Sequence, residues 1–237
     1  MKNIDVVILC GGLGKRLRPV VSDRPKPMAE VNSEPFLDTV IKYAASFGFK
    51  RFIFCTGYKA EAIKNYYEGR TNSLEFVFSQ EKEPLGTGGA VKNAAELIKS
   101  DPFLVMNGDS FCDLNFCDFF KFHTIKKAVF SIALSRPKND QNSGIVVVDR
   151  DKRIVAFKEK SGAEKGNYCN AGIYFMKREI FRIMGNKEVF SLEYDMFPAL
   201  VGKDCYGYYE GNDFIDIGIP RNLAKASNFI RKARAGK

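Results

Sequence analysis

Ile4–Leu9 is almost continuously apolar where a half-exposed strand would alternate, so it reads as a parallel strand covered on both faces. Leu37, Val40, Ile41, Ala44 and Phe47 recur at steps of three and four, which predicts a helix over Phe36–Phe49 with Gly48 as its stop. Strand, helix and strand follow over Phe52–Cys55, Lys59–Tyr67 and Leu74–Phe78. A helix over Gly86–Lys99 and a strand over Phe103–Met106 continue the alternation. Alternating β and α segments imply right-handed crossovers and a parallel sheet, with ligand sites at the carboxyl ends of its strands.

The second half changes rhythm. Val129–Leu134, Gly144–Val148, Ile154–Phe157, Gly172–Met176, Cys205–Glu210 and Phe214–Ile217 are strand-like, with Asp149–Arg153 as a charged hairpin between two of them. Helical patterning is confined to Phe116–Lys127, Lys177–Met184, Glu193–Val201 and a closing helix begun by Pro220, whose Leu223, Ala226, Ile230 and Ala233 share a face. No linker or internal repeat interrupts the 237 residues, which predicts one α/β domain.

Composition narrows the function classes. With 45% hydrophobic and 27% charged residues the chain is ordinary globular material with enough apolar mass for a core. The net charge of +9 is compatible with nucleic acid, a membrane surface or small anions. The basic residues are scattered, however, and the densest cluster, Arg231-Lys232-Ala233-Arg234, reads as a solvated helix end with no aromatic stacking motif beside it. Nucleic acid is therefore not expected as a partner. Six dispersed cysteines without a CxxC pair, and a single histidine, argue against zinc and disulfides and for small core residues in a reducing compartment. Lys2 leads straight into a short strand and no run of about 20 apolar residues occurs, so a cytoplasmic protein without a membrane span is expected.

The chemistry is concentrated where strands end. Gly11-Gly12-Leu13-Gly14-Lys15-Arg16 follows the first strand and gathers backbone N–H groups and cations, the outline of a phosphate site. It lacks the Gly-Lys-Ser/Thr of a P-loop, and Leu17 stands where a dinucleotide fingerprint has glycine. A glycine-rich turn with a surface arginine is the alternative these residues leave open. Lys26, between Pro25 and Pro27 on a path expected to be extended, is a point cation suited to a phosphate in transfer. Asp109 and Asp216 each follow an apolar strand; two such carboxylates suit Mg²⁺ if a triphosphate completes its shell, although either taken alone reads sooner as a helix cap or Asx turn. Gln80–Ala90, QEKEPLGTGGA, combines a group able to read a base edge with glycines that let backbone approach a flat ligand. Glu159 and Lys160 pair a carboxylate with a cation at a strand end, or are simply solvated there. His123 reads as a helix-surface or packing residue without a role.

Together GGLGKRLRP, PKPM at 25–28, PLGTGGA at 84–90, NGD at 107–109, FKEK at 157–160, NAG at 170–172 and DIGIP at 216–220 resemble the sugar-1-phosphate nucleotidyltransferases, in the family's order and over nearly the whole chain. VVSDRPKPMAEV and the form of the 84–90 loop are most similar to D-glycero-D-manno-heptose 1-phosphate guanylyltransferases; N-acetylmuramate 1-phosphate uridylyltransferases and mannose 1-phosphate guanylyltransferases are the rivals. The resemblance implies a Rossmann-like three-layer α/β/α fold with a mixed, mostly parallel sheet. It also implies GTP and a sugar 1-phosphate as substrates, Mg²⁺ as cofactor, and a nucleotide-sugar product for capsule or lipopolysaccharide synthesis. A nucleotide half over 1–110 and a sugar-phosphate half over 111–237 follow from it.

By the same resemblance Leu9, Gly11, Gly12, Gly14, Gln80, Gly86, Thr87 and Asn107 line the nucleotide, Arg16 holds its β- and γ-phosphates and Lys26 bridges the reacting phosphates. Asp109 and Asp216 hold the metal. Gly108, Gly144, Glu159, Asn170 and Gly172 shape the sugar-phosphate side, with Lys160 on the sugar phosphate. Ile219 departs from the threonine often found there. An inactive nucleotide-sugar-binding regulator is the contrasting reading, and retention of Arg16, Lys26, Asp109 and Asp216 argues against it. Tyr206, Tyr208 and Tyr209, expected to be exposed, are either an interface, which leaves a homodimer open, or an ordinary edge strand.

Overall fold

The computed structural model describes residues 1–70, 73–136, 144–158 and 167–235. In chain order its strands are β1 (Asp5–Leu9), β2 (Glu30–Val31), β3 (Glu34–Pro35), β4 (Arg51–Thr56), β5 (Glu75–Gln80), β6 (Phe103–Asn107), β7 (Ser110–Cys112), β8 (Phe130–Ser135), β9 (Ile145–Val148), β10 (Ile154–Lys158), β11 (Asn167–Met176), β12 (Cys205–Tyr208) and β13 (Phe214–Asp216). The α-helices are α1 (Phe36–Ser46), α2 (Ala60–Tyr67), α3 (Gly86–Asn93), α4 (Phe116–Ile125), α5 (Ile180–Met184), α6 (Phe197–Leu200) and α7 (Pro220–Ala235).

A nine-stranded mixed sheet runs β10-β9-β11-β6-β1-β4-β5, with β8 on β11 and β12 on β8. Its β6-β1-β4-β5 part is parallel, and β11 joins that part to the rest by pairing antiparallel with β6. Alternate side chains of the central strands enter two different cores. Val6, Ile8, Phe52, Phe54, Leu104 and Met106 face one, with α1, α2, α4 and α7 over them. Val7, Ile53, Phe103 and Val105 face the other, with α3, α5 and α6. These are the three layers implied by the resemblance, and they explain why the first strand shows no alternation: both of its faces are inside.

Several boundaries and one local conformation differ from the sequence expectation. Pro25-Lys26-Pro27 does not continue extended; Lys26–Met28 forms a single 3₁₀ turn, closed by Met28 N to Pro25 O at 2.8 Å and Ala29 N to Lys26 O at 3.0 Å. Proline is excluded from helix interiors, not from a first turn, where its missing N–H has no partner to lose. The Gly86–Lys99 helix ends at Asn93 and is followed by a separate 3₁₀ turn at Ala95–Leu97. The Glu193–Val201 helix is a π-turn, Leu192–Met196, leading into α6. β11 begins at Asn167, five positions before the strand expected from Gly172.

Tyr206 and Tyr208 are 7% and 6% exposed, not surface aromatics. β12 pairs with β8, Phe119 and Phe122 of α4 pack on Tyr208, and Arg153 lies over the Tyr206 ring. The apolar face that left a homodimer open is therefore already covered by the chain's own helix. Of the cysteines, all but Cys117 are buried and all are free, as expected for core residues.

His123 is the packing residue of the two alternatives. It is buried on α4 against Phe175, with Nδ1 2.8 Å from Ser131 Oγ. Burial, aided by the positive charge of Lys177, lowers its pKa from 6.5 to about 4. The ring is thus neutral in the fold, and below pH 6.5 the unfolded chain takes up a proton that the folded chain does not. Unfolding free energy is expected to fall by about 3 kcal/mol between pH 6.5 and 4 on this account. Denaturant titrations across that range should show the drop largely absent from His123→Phe.

Candidate active site

The site starts from the point where β1 leaves the sheet. Cys10 N still donates to Cys55 O at 2.9 Å, one step beyond the last strand pair, and then the chain turns out through Gly11. Beside it Gly108 N donates to Leu9 O at 3.0 Å, so β1 and β6 end side by side. Between these strand ends and the start of α3 lies an open cleft of about 290 Å³. Its walls include Leu9, Gly11, Gly12, Gly14, Lys26, Gly86, Thr87, Asn107 and Asp109. Residues from four separate stretches of sequence thus meet around one cavity at the carboxyl ends of the strands.

Gly86 shows how closely α3 must approach. At φ +74° it is left-handed, and a Cβ there would lie 2.5 Å from the carbonyl oxygen of Phe190. A side chain would therefore push the helix start off the segment behind it. Gly88 N and Gly89 N both reach the same carbonyl, at 3.0 and 3.2 Å.

Asp109 and Asp216 are brought together by a short antiparallel pairing that the sequence did not announce. β7 pairs with β13 with Ser110 opposite Asp216, and Ile217 N donates to Asp109 O at 3.0 Å. Lys26, carried on its 3₁₀ turn, pairs through Nζ with Asp109 Oδ2 and lies 3.6 Å from Asp216 Oδ1. Gly218 N donates to Asp216 Oδ1 at 2.6 Å, which holds the carboxylate, and Asn222 Nδ2 donates to the main-chain carbonyl of Asp216 at 2.8 Å, which holds its backbone. Ser110 Oγ donates to Asp109 Oδ1 at 3.1 Å.

The electrostatics follow from this crowding. Burial disfavours the Lys26 ammonium, but Asp109 and Asp216 outweigh it and hold its pKa above the ordinary lysine value. For Asp216 burial, then repulsion from Asp109, raises the pKa, with Lys26 offsetting part of the rise. Two partly buried carboxylates and one cation leave an excess of negative charge next to a cleft lined by glycine backbone. Such a pair can take up a second cation in a way that a balanced ion pair cannot.

Other expected residues stand further out. Arg16 is exposed and does not line the cleft, yet it is near enough for its charge to act on both Lys26 and Asp216. Gln80 ends β5 opposite Thr56 and is exposed. Gly144 O accepts from Asn170 N at 3.2 Å, and Asn170 Oδ1 from Gly172 N at 2.7 Å, which ties Gly144 to the Asn170–Gly172 bend of β11. Glu159 and Lys160 lie outside the described residues. Sequence reasoning missed Glu81, which lines the cleft, accepts from Leu85 N at 3.2 Å and has its pKa raised by burial. Its position next to Gln80 at a strand end was the available signal.

The model of the nucleotidyl transferase family matches residues 5–233. The chain belongs to that family. Enzymes of this family generally use a divalent metal ion. This nucleotidyltransferase is 39% identical over 229 residues to a D-glycero-α-D-manno-heptose 1-phosphate guanylyltransferase of Aneurinibacillus thermoaerophilus, covering 96% of this chain and 99% of that one. It is 34% identical to the enzyme of the same name from Campylobacter jejuni, covering 92% and 96%. Among solved structures, HddC from Yersinia pseudotuberculosis superposes with a TM-score of 0.84 at 34% identity, over 95% of this chain and 99% of that one, and it has also been solved with GMP-PN. A mannose-1-phosphate guanylyltransferase of Mycobacterium tuberculosis is 34% identical, but this nucleotidyltransferase spans only 64% of its length. Among the described residues no helix is long and apolar enough to cross a membrane.

Proposed function

We propose that this nucleotidyltransferase moves a guanylyl group from GTP to D-glycero-α-D-manno-heptose 1-phosphate, giving GDP-heptose and pyrophosphate in the cytoplasm. The reaction class is carried by one observation: Asp109, Asp216 and Lys26 converge at the rim of a glycine-lined cleft. The substrate pair is supported by full-length similarity to heptose 1-phosphate guanylyltransferases, whereas the mannose enzyme is matched over part of its length. On this reading residues 1–110 hold the nucleotide and residues 111–237 the sugar phosphate.

The donor set fits Mg²⁺. It consists of oxygen donors from two carboxylates, which suit a hard cation that would take its other ligands from phosphate oxygens and water. Asp109 and Asp216 would hold the ion, which when bound neutralises phosphate charge on the way to the transition state.

The chain's own residues account for the remaining requirements. A phosphate monoester is already a nucleophile, so its oxygen can attack the α-phosphorus of GTP without a general base, and pyrophosphate leaves in line. Catalysis is then positioning and charge neutralisation. Gly11, Gly12 and Gly14 present backbone to the triphosphate. Lys26 leaves Asp109 to contact the reacting phosphates, and Arg16, exposed beside them, closes on the departing pyrophosphate. Gly86 and Thr87 border the base and ribose, Lys160 binds the sugar phosphate, and Glu159 its hydroxyls. Asn170 and Gly172 shape the wall that the sugar meets.

Pyrophosphate release across four nucleoside triphosphates and a panel of sugar 1-phosphates tests this reading. GTP with the heptose phosphate is expected to exceed every other pair by at least about tenfold in kcat/KM, the scale of discrimination set by one or two added contacts. A preference for UTP, or for a hexose phosphate over the heptose, would contradict the substrate assignment and leave the reaction class intact.

A further inference from the structure

The loop that leaves β1 is held at both ends by two consecutive residues of the β4–α2 junction. At its start Tyr58 N donates to Gly11 O at 3.2 Å, and near its end Lys59 Nζ donates to Ser22 O at 2.6 Å. Between these points Arg18 lies over the Tyr58 ring, 5.1 Å from its centroid, with Lys59 Nζ 5.5 Å from the same centroid. Leu17 is buried in the core, and its N–H donates at 2.9 Å to the carbonyl of Gly14, which lines the cleft. Arg16 is therefore carried on a closed turn at the cleft's edge.

Lys59 keeps its place against its own backbone preference. It stands just before α2 at φ +53° and ψ +40°, a left-handed conformation in which glycine or asparagine is at home and lysine is strained. Its side chain makes no capping bond to the helix that it precedes. That side chain serves the loop instead, 37 positions away in sequence. A residue that breaks a local rule while its side chain holds a distant segment is the pattern expected of a functional constraint. Ser22 also lies shortly before the 3₁₀ turn that carries Lys26, so the same bond sits at the entry to that cation.

We propose that Lys59 is a positioning residue for the triphosphate: with Tyr58 it tethers loop 11–22 so that the glycine backbone and Arg16 meet the β- and γ-phosphates in one preset arrangement. It rests on the guanylyl-transfer reading above. Lys59 needs no contact with the nucleotide. Without the tether the loop has to be ordered when the triphosphate binds, and that ordering is subtracted from affinity.

The test is calorimetric, on the full chain with Mg²⁺. The probes are guanosine α,β-methylenetriphosphate, which cannot be transferred, and the heptose 1-phosphate. Lys59→Met keeps the length and the strain but removes the donor; it is expected to weaken the guanosine probe about fivefold, the scale of one hydrogen bond, and to leave the heptose phosphate unchanged. Lys59→Arg, which keeps a donor, should bind as the parent does. Lys59→Asn relieves the strain and should show the same loss of affinity while melting no lower than the parent, a combination that a merely structural lysine would not give. Should Lys59→Met unfold, Lys59→Asn decides. Arg16→Ala should cost at least about threefold less affinity on the Lys59→Met background than on the parent, because an untethered arginine has less to lose. Additive losses, which would reduce Lys59 to a distant attracting charge, overturn the tether, as do an unchanged guanosine affinity or an equal loss for both probes. A parent that does not bind the guanosine probe refutes the guanylyl-transfer reading first, and the tether with it.

Discussion

Asp216→Asn and Asp109→Asn are each expected to lower kcat by roughly a hundredfold to a thousandfold, the scale of losing one preorganised electrostatic contact in a transition state. Stability should move the other way for Asp216. Its pKa in the fold is raised above 3.8, chiefly by burial and then by Asp109. A carboxyl with a raised folded pKa supports the fold fully only below its unfolded value and loses that support as pH rises through the folded value. At neutral pH the ionised Asp216 is therefore a cost, and the metal-free asparagine variant should melt no lower than the parent. Loss of activity without loss of Tm separates a functional carboxylate from a structural one. Near-normal turnover in both variants would remove the metal assignment.

Lys26→Met should fail in a different manner. Turnover is expected to fall about a hundredfold through loss of a phosphate contact. The metal-free protein should also be destabilised, because two carboxylates then face each other without a cation. Removing one member of a fully buried pair costs about 3 to 5 kcal/mol; with the carboxylates 24% and 34% exposed, about 2 kcal/mol is expected. The Lys26 pKa is raised, so its contribution is present below 10.5 and lost only as pH rises through the folded value. Parent and variant melting curves should therefore differ throughout the neutral range and approach each other above pH 10.5. Added Mg²⁺ should recover part of the lost Tm in the variant, since the ion takes the place of the missing charge.

What the sequence revealed and what it concealed divide along a physical line. Gly11–Gly14, Asp109 and Gly86 were legible because each sits where an apolar strand ends or a helix begins, and strand ends are marked by local composition. The buried face of α7, with Ala226 and Ile230 in the core, was legible for the same reason: periodicity is local. The 3₁₀ turn at Lys26 was misread because two prolines suggest extension, although proline is at home in a first turn. The pairing of β7 with β13 was invisible; each strand is three residues long, and what joins Ser110 to Asp216 is proximity in the fold. Ser22 and Lys59 are 37 positions apart, so no window along the chain could have joined them. The aromatic run at 206–209 looked like a surface because nothing nearby in sequence shows that α4 covers it.

The central claim is that this cleft joins a sugar phosphate to the α-phosphorus of GTP. Its most direct test is phosphorus NMR of the complete reaction with Mg²⁺ and heptose 1-phosphate carrying heavy oxygen in its phosphate. GDP-heptose and pyrophosphate are expected in equal amounts, with the label in the sugar nucleotide and none in pyrophosphate. Label in pyrophosphate, or GDP with inorganic phosphate as the products, would contradict it.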